Sequence, residues 1–144
     1  MKTELIPFEQ KFKPLLEEYE STKYLKRYLN KGGYNILSLL QIYHSDLRLL
    51  SVDNIIVGYI VIRSKFPLLH RKERWIYGVR IFPEYRGEGY GKDLMIRAME
   101  ICGNNTIFLR VAKDNNVALN LYNGLGFVKE KEEKNRILMK YEQI

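Results

Sequence analysis

The sequence predicts an α/β fold with a mixed sheet, in a single domain spanning residues 1–144. Three observations carry that expectation. Apolar β-rich runs alternate along the chain with segments of helical periodicity. A glycine-rich loop joins one such run to an amphipathic segment. Apolar residues make up 46% of the chain and aromatic residues 12%, enough to bury a core at 144 residues.

Residues 3–8 read as a short first strand ending near Pro7. Glu9 to Asn30 is rich in Lys, Glu, Leu and Tyr, and Phe12, Leu15, Leu16 and Tyr19 recur at helical spacing; Lys31-Gly32-Gly33 breaks it. Tyr34 to Tyr43 fits either a second short helix or an irregular segment. Leu47–Val52 and Ile55–Ile62 are β-rich, and Asp53-Asn54 between them predicts a hairpin turn. Phe66 to Arg74 is a polar, basic loop. Trp75 to Phe82 is the central strand, with Trp75, Tyr77, Val79 and Ile81 expected on one face under period-two alternation. The helix from Lys92 to Cys102 turns Leu94, Met95, Ala98, Ile101 and Cys102 toward the core and stops at Gly103. Thr106–Ala112 is a strand with Ile107, Leu109 and Val111 facing one way. Asp114 or Asn115 caps a short helix carrying Val117, Ala118, Leu121 and Leu125. Phe127–Lys131 and Arg136–Tyr141 close the fold as a strand pair.

Composition removes several function classes. The longest apolar runs are too short to cross a bilayer, and Met1-Lys2-Thr3-Glu4 lacks a signal peptide's apolar stretch. Cys102 is the only cysteine, so no internal disulfide forms and a cytoplasmic setting is expected. One cysteine and two distant histidines, His44 and His70, argue against a metal site. The formal charge is +7, and eight Lys/Arg against three Glu between Arg63 and Lys92 leave +5 in those thirty residues. That excess would attract a polyanionic ligand. Nucleic acid is the generic alternative, but no helix-turn-helix, zinc-finger or RNA-binding signature accompanies the charge.

The charge centres on Arg86-Gly87-Glu88-Gly89-Tyr90-Gly91. Glycines at alternate positions let backbone approach a ligand with no Cβ in the way. A loop that leaves a strand and enters a helix aims several N–H groups at one point, where the helix dipole adds positive charge. Taken alone, the loop is as compatible with a plain turn as with a phosphate cradle.

A second motif decides between them. Asn115 to Phe127 has the skeleton Asn-x-x-Ala-x-x-Leu-Tyr-x-x-x-Gly-Phe, running through Ala118, Leu121, Tyr122, Gly126 and Phe127. Together with Arg86-x-x-Gly89-x-Gly91, and in that order and separation, it resembles the GNAT superfamily of acetyl-CoA-dependent N-acetyltransferases. Val52 to Tyr59 is similar to that family's second and third strands. The likeness extends over roughly residues 47–128 and is weak before them.

The resemblance implies a GNAT fold: a mostly antiparallel sheet flanked by helices, whose central strand bulges and splays from its neighbour. It implies acetyl-CoA as co-substrate, no metal, and an amine-bearing acceptor, with a homodimer as one assembly. Backbone groups of Val79, Arg80 and Ile81 would meet the thioester and pantetheine arm. The N–H groups of Gly87, Glu88, Gly89, Tyr90, Gly91 and Lys92, behind Arg86, would hold the pyrophosphate. Asn115 would lie near the pantetheine, and Tyr122 would be the general acid.

The chemistry asks for the same groups. Attack by a neutral amine builds negative charge on the thioester oxygen, which a backbone N–H near Ile81 would stabilise; such donors are worth ~3 kcal/mol. The departing thiolate needs a proton, and a phenol of pKa about 10 still holds one at neutral pH. Some relatives place a glutamate where this chain has Arg110, others near Trp75. Glu73 and Glu84 are the nearby acids here, or the acceptor arrives as free amine.

Plainer readings accompany several residues. Asn115 serves as a helix cap in either case. Cys102 is core. Trp75 and Tyr77 line the acceptor pocket or pack as core, and Lys65, Arg71, Lys72 and Arg74 form a solvated loop or meet the 3′-phosphate of coenzyme A. Beside an N-acetyltransferase, a non-catalytic acyl-CoA sensor on the same fold and a nucleic-acid binder are the alternatives.

Overall fold

The computed structural model describes residues 1–19, 45–64 and 73–143. Seven strands form one sheet in the order β1-β2-β3-β4-β5-β7-β6. They are β1 (Thr3–Pro7), β2 (Ser45–Val52), β3 (Ile55–Arg63), β4 (Glu73–Ile81), β5 (Thr106–Ala112), β6 (Val128–Glu132) and β7 (Arg136–Tyr141). The β4–β5 pair is parallel and every other pair antiparallel. Helices α1 (Lys13–Tyr19), α2 (Tyr90–Cys102) and α3 (Asn116–Gly124) flank it, with short 3-10 turns at Gln10–Phe12 and Pro83–Tyr85. The rest of the expected 9–30 helix, the 34–43 segment, His44, Lys65, His70, Arg71 and Lys72 lie outside the described residues.

Local chemistry sets most boundaries. Asp53 and Asn54 both take positive φ, 51° and 69°, the left-handed pair that matches hairpin twist. Asn115, not Asp114, caps α3: its side-chain oxygen accepts the N–H of Ala118 at 3.2 Å. Gly103, at φ 59°, ends α2.

The sheet separates two cores. On one face α2 and α3 cover Leu50, Ile60, Ile62, Ile76, Ile107, Leu109 and Val111 with Leu94, Met95, Ala98, Cys102 and Tyr122. On the other, Leu16 of α1 packs with Leu47, Leu49, Tyr59, Val61 and Phe82. Cys102 is buried, which pushes its thiol up to about 11 and leaves it unreactive at neutral pH.

Two expectations from alternation fail. Ile101 is 42% exposed, because α2 already fills the core with Leu94, Met95, Ala98 and Cys102. Trp75, Tyr77, Val79 and Ile81 do not share a face. The β3–β4 register pairs Val61 with Gly78 but Ile62 with Ile76, so Tyr77 is an extra residue on β4. That bulge shifts the phase. Ile76, Val79 and Ile81 meet the helix-covered core, whereas Trp75 stacks on Phe108 with ring centroids 4.9 Å apart and Tyr77 sits beside Trp75.

Candidate active site

The bulge at Tyr77 coincides with the point where the sheet opens. The β4–β5 ladder runs from Glu73/Thr106 to Ile76/Leu109 and stops. Beyond it β4 stays paired with β3 as far as Ile81, and β5 stays paired with β7 as far as Ala112. Each strand follows its outer neighbour, and a V opens between them.

Ladder alternation fixes which main-chain groups face the V. Phe82 donates its N–H to Val57 at 2.9 Å, so the main-chain groups of Phe82, Arg80 and Gly78 turn toward β3. Those of Val79 and Ile81 turn the other way, into the gap. Of the three residues expected to offer backbone there, Arg80 turns its main-chain groups to β3, although it too lines the cleft. From the far side, Lys113 donates to Asn135 beside β7, which leaves Arg110 and Ala112 facing the gap.

The V is one side of a cleft of about 470 Å³. Val79, Arg80, Arg110, Asn115 and Tyr122 line it, with Tyr59 and Tyr77 on the α1 side of the sheet. Tyr122 is brought there by α3 and is 8% exposed, its ring tilted against Phe127. Burial raises its phenol above the ordinary value of 10.0. Asn115 combines its capping bond with a place in the wall, so the two roles foreseen for it are compatible.

The glycine loop stands at one mouth. A Cβ on Gly91 would lie 3.9 Å from Ile81 and 3.8 Å from Leu121, so the first turn of α2 abuts the end of β4 and α3. Gly87 and Gly89 have φ of 84° and 81°, conformations that a side chain would strain. Among the described residues, none of the six N–H groups from Gly87 to Lys92 donates to a backbone carbonyl; the next, Asp93, bonds Gly89 at 3.2 Å. Six donors are thereby gathered beside the positive end of α2. Arg86 donates from Nε to the Ile81 carbonyl at 2.9 Å and clips the loop to the strand.

No carboxylate or histidine is among the described residues lining the cleft. Glu73 begins β4 at its paired end, remote from the V. Glu84 accepts a hydrogen bond from Tyr19, whose ring stacks on Phe82 at 4.1 Å. That contact pins the end of α1 to the corner before the glycine loop. It raises the Tyr19 phenol to about 12, chiefly through the hydrogen bond to Glu84. Arg110 donates to Glu133 at 3.0 Å and lies over the Trp75 ring, 4.9 Å from its centroid. Gly58 was missed by sequence reasoning: a Cβ there would come within 2.3 Å of the Arg80 carbonyl. Only its place in the Val52–Tyr59 hairpin could have singled it out.

The family model that matches residues 9–127 is described as the acetyltransferase (GNAT) family. In structure the chain is similar to the PaiA N-acetyltransferase of Thermoplasma acidophilum in complex with coenzyme A, at 18% identity and TM-score 0.73, covering 99% of this chain and 100% of that one. It is similar to a mutant spermidine N-acetyltransferase of Vibrio cholerae, at 18% identity and TM-score 0.77, covering 97% and 93%. It is also similar to the ribosomal-protein-S18-alanine N-acetyltransferase of Escherichia coli, at 15% identity and TM-score 0.73, covering 98% and 94%. At such identities the likeness is one of fold. A curated relative, an uncharacterized protein of Mycobacterium leprae (strain TN), is 35% identical over 52 residues, 36% of this chain and 14% of that protein's length.

Proposed function

Because the chain belongs to the GNAT acetyltransferase family, we propose that it transfers an acetyl group from acetyl-CoA to a primary amine by direct attack, with Tyr122 as the general acid. The observation that carries this reading is the V between β4 and β5, bordered by six N–H groups at one mouth and Tyr122 in its wall. Acetyl-CoA supplies the acyl group as a thioester. The Gly87–Lys92 amides hold its pyrophosphate, at the positive end of α2. The outward N–H groups of Val79 and Ile81 bind the pantetheine and the thioester oxygen as charge grows there. Asn115 flanks the arm. Tyr122 gives its proton to the departing sulfur. No cysteine or serine nucleophile is required, which agrees with a buried Cys102.

Burial of Tyr122 sets a pH expectation. A raised phenol stays protonated through neutral and mildly alkaline pH, so Tyr122 causes no loss of kcat below about pH 10. The stability sign follows. The buried neutral phenol contributes its full share below the unfolded value of 10.0 and loses it as pH rises through the higher folded value. A kcat–pH profile that falls well below pH 10, with the fall abolished by Tyr122→Phe, would show that the phenol is not raised, while keeping its role as proton donor.

Calorimetry with acetyl-CoA tests the whole reading. Saturable binding is expected, weakened about tenfold or more by Gly89→Val, whose side chain must enter the left-handed region at a cost of roughly 1–2 kcal/mol. A flat titration of folded protein removes the proposal. The cleft's lack of a carboxylate or histidine among the described residues favours a second reading, a non-catalytic acyl-CoA sensor. Binding without thiol release across a broad amine panel would select it.

A further inference from the structure

The closed end of the V carries a cluster that the transfer chemistry leaves unused. Where the β4–β5 ladder stops, on the α1 side of the sheet, Trp75, Tyr77, Arg110 and Arg136 form a recess of about 80 Å³. It adjoins the main cleft: Ile76, Tyr77 and Arg110 line both. Arg63 lies over the Tyr77 ring, 5.0 Å from its centroid, as Arg110 lies over Trp75. Two guanidinium groups thus lie on the two aromatic rings, and a third, that of Arg136, lines the recess beside them.

Among the described residues, one acid, Glu133, is paired with Arg110 and Arg136. It takes Arg110 through Nε, at 3.0 and 3.2 Å, and stands 3.9 Å from Arg136. Among the described residues, Arg63, Arg110 and Arg136 against Glu133 leave the cluster with an excess of positive charge. The Arg63 Nε is buried and has no hydrogen-bond partner among the described residues. A guanidinium over an aromatic ring can still offer its remaining N–H donors to a planar anion, which it binds bidentately.

Resting on the acetyltransferase reading above, we propose that this recess binds a carboxylate of the acceptor, and that the substrate is an amine carrying a carboxylate a few bonds from its nitrogen. The spacing suits such a molecule. Tyr77 precedes Val79, whose N–H faces the V, by two residues, at most about 7 Å of chain. An amine at the thioester and an anion at the recess are therefore the two ends of one compact molecule. The same charge addresses the missing base. Neighbouring guanidinium groups disfavour the protonated ammonium and lower its pKa, which raises the fraction of reactive free amine. A polyamine would meet the cluster with a second cation and be repelled. The spermidine acceptor named for the Vibrio cholerae enzyme therefore does not transfer to this cleft.

Matched acceptors test this in thiol-release assays: phenylalanine against phenylethylamine, 6-aminohexanoate against hexylamine, and spermidine as the polycation. A third pair, Phe-Glu amide against Phe-Gln amide, separates a peptide-borne carboxylate from that of a free amino acid. The carboxylate member of at least one pair is expected to win by about tenfold or more in kcat/KM, mainly through KM. Arg136 is 59% exposed in its side chain, so Arg136→Gln should leave the fold intact while that preference ratio falls toward one. Acetyl-CoA calorimetry checks the folding of each preparation. Equal use of both members in all three pairs, or spermidine as the best acceptor, overturns the inference while leaving the enzyme reading in place. A flat acetyl-CoA titration of the folded wild type overturns both.

Discussion

Tyr122→Phe is expected to lower kcat by roughly 10²-fold or more while leaving acetyl-CoA affinity nearly unchanged, the range in which a positioned proton donor contributes. The substitution removes one oxygen from a ring that is 8% exposed and packed against Phe127. Phenylalanine fills the same volume, so the hydrophobic contribution of the site survives. What is lost is the proton for the departing thiolate. Uncatalysed departure of a thiolate is feasible near neutral pH, since thiols have pKa values near 8.5, so the loss should shrink with more reactive acyl thioesters. Stopped-flow thiol release paired with calorimetry separates the two effects. Unchanged turnover in the variant would remove the general-acid role and leave Tyr122 a packing residue.

Gly58→Ala is expected to damage stability and the site together. A methyl group at that position would sit 2.3 Å from the Arg80 carbonyl and 2.8 Å from the Ile81 side chain. The first of these contacts is with backbone, which cannot rotate away, so β4 must move. Overpacking of this kind costs about 3 kcal/mol. The displaced stretch includes Ile81, whose main chain faces the V and whose carbonyl anchors Arg86. Acetyl-CoA affinity should therefore fall along with the urea midpoint. A variant of unchanged midpoint would mean that β3 and β4 are less closely apposed than the ladder indicates.

Much of the fold was legible along the chain because its signals are local. The Asp53-Asn54 turn, the Asn115 cap and the 106–112 strand each depend on neighbours a few residues away, and each is found in place. The glycine loop and the Asn115–Phe127 motif were legible as a pair because their residue types, order and separation together match one family. The faces of β4 were not legible. Alternation assumes an unbroken pleat, and the insertion of Tyr77 against β3 is visible only when both strands are in register. Ile101 misled for a related reason: helical periodicity says which residues lie on one side but not how wide a stripe the sheet will cover.

By itself, then, the sequence determined the order of the described elements, the family and the two motifs that identify it, since these are written in short-range patterns. The tertiary structure alone decided that β4 and β5 part at Ile76, that Val79 and Ile81 rather than Arg80 turn their amides into the gap, and that Arg110 and Arg136 line one recess with Arg63 stacked on its Tyr77 wall. Those residues are separated by up to seventy-three positions in the chain, Arg63 to Arg136. Only hydrogen-bond register between distant strands brings them together, and register is a property of pairs, not of any one segment.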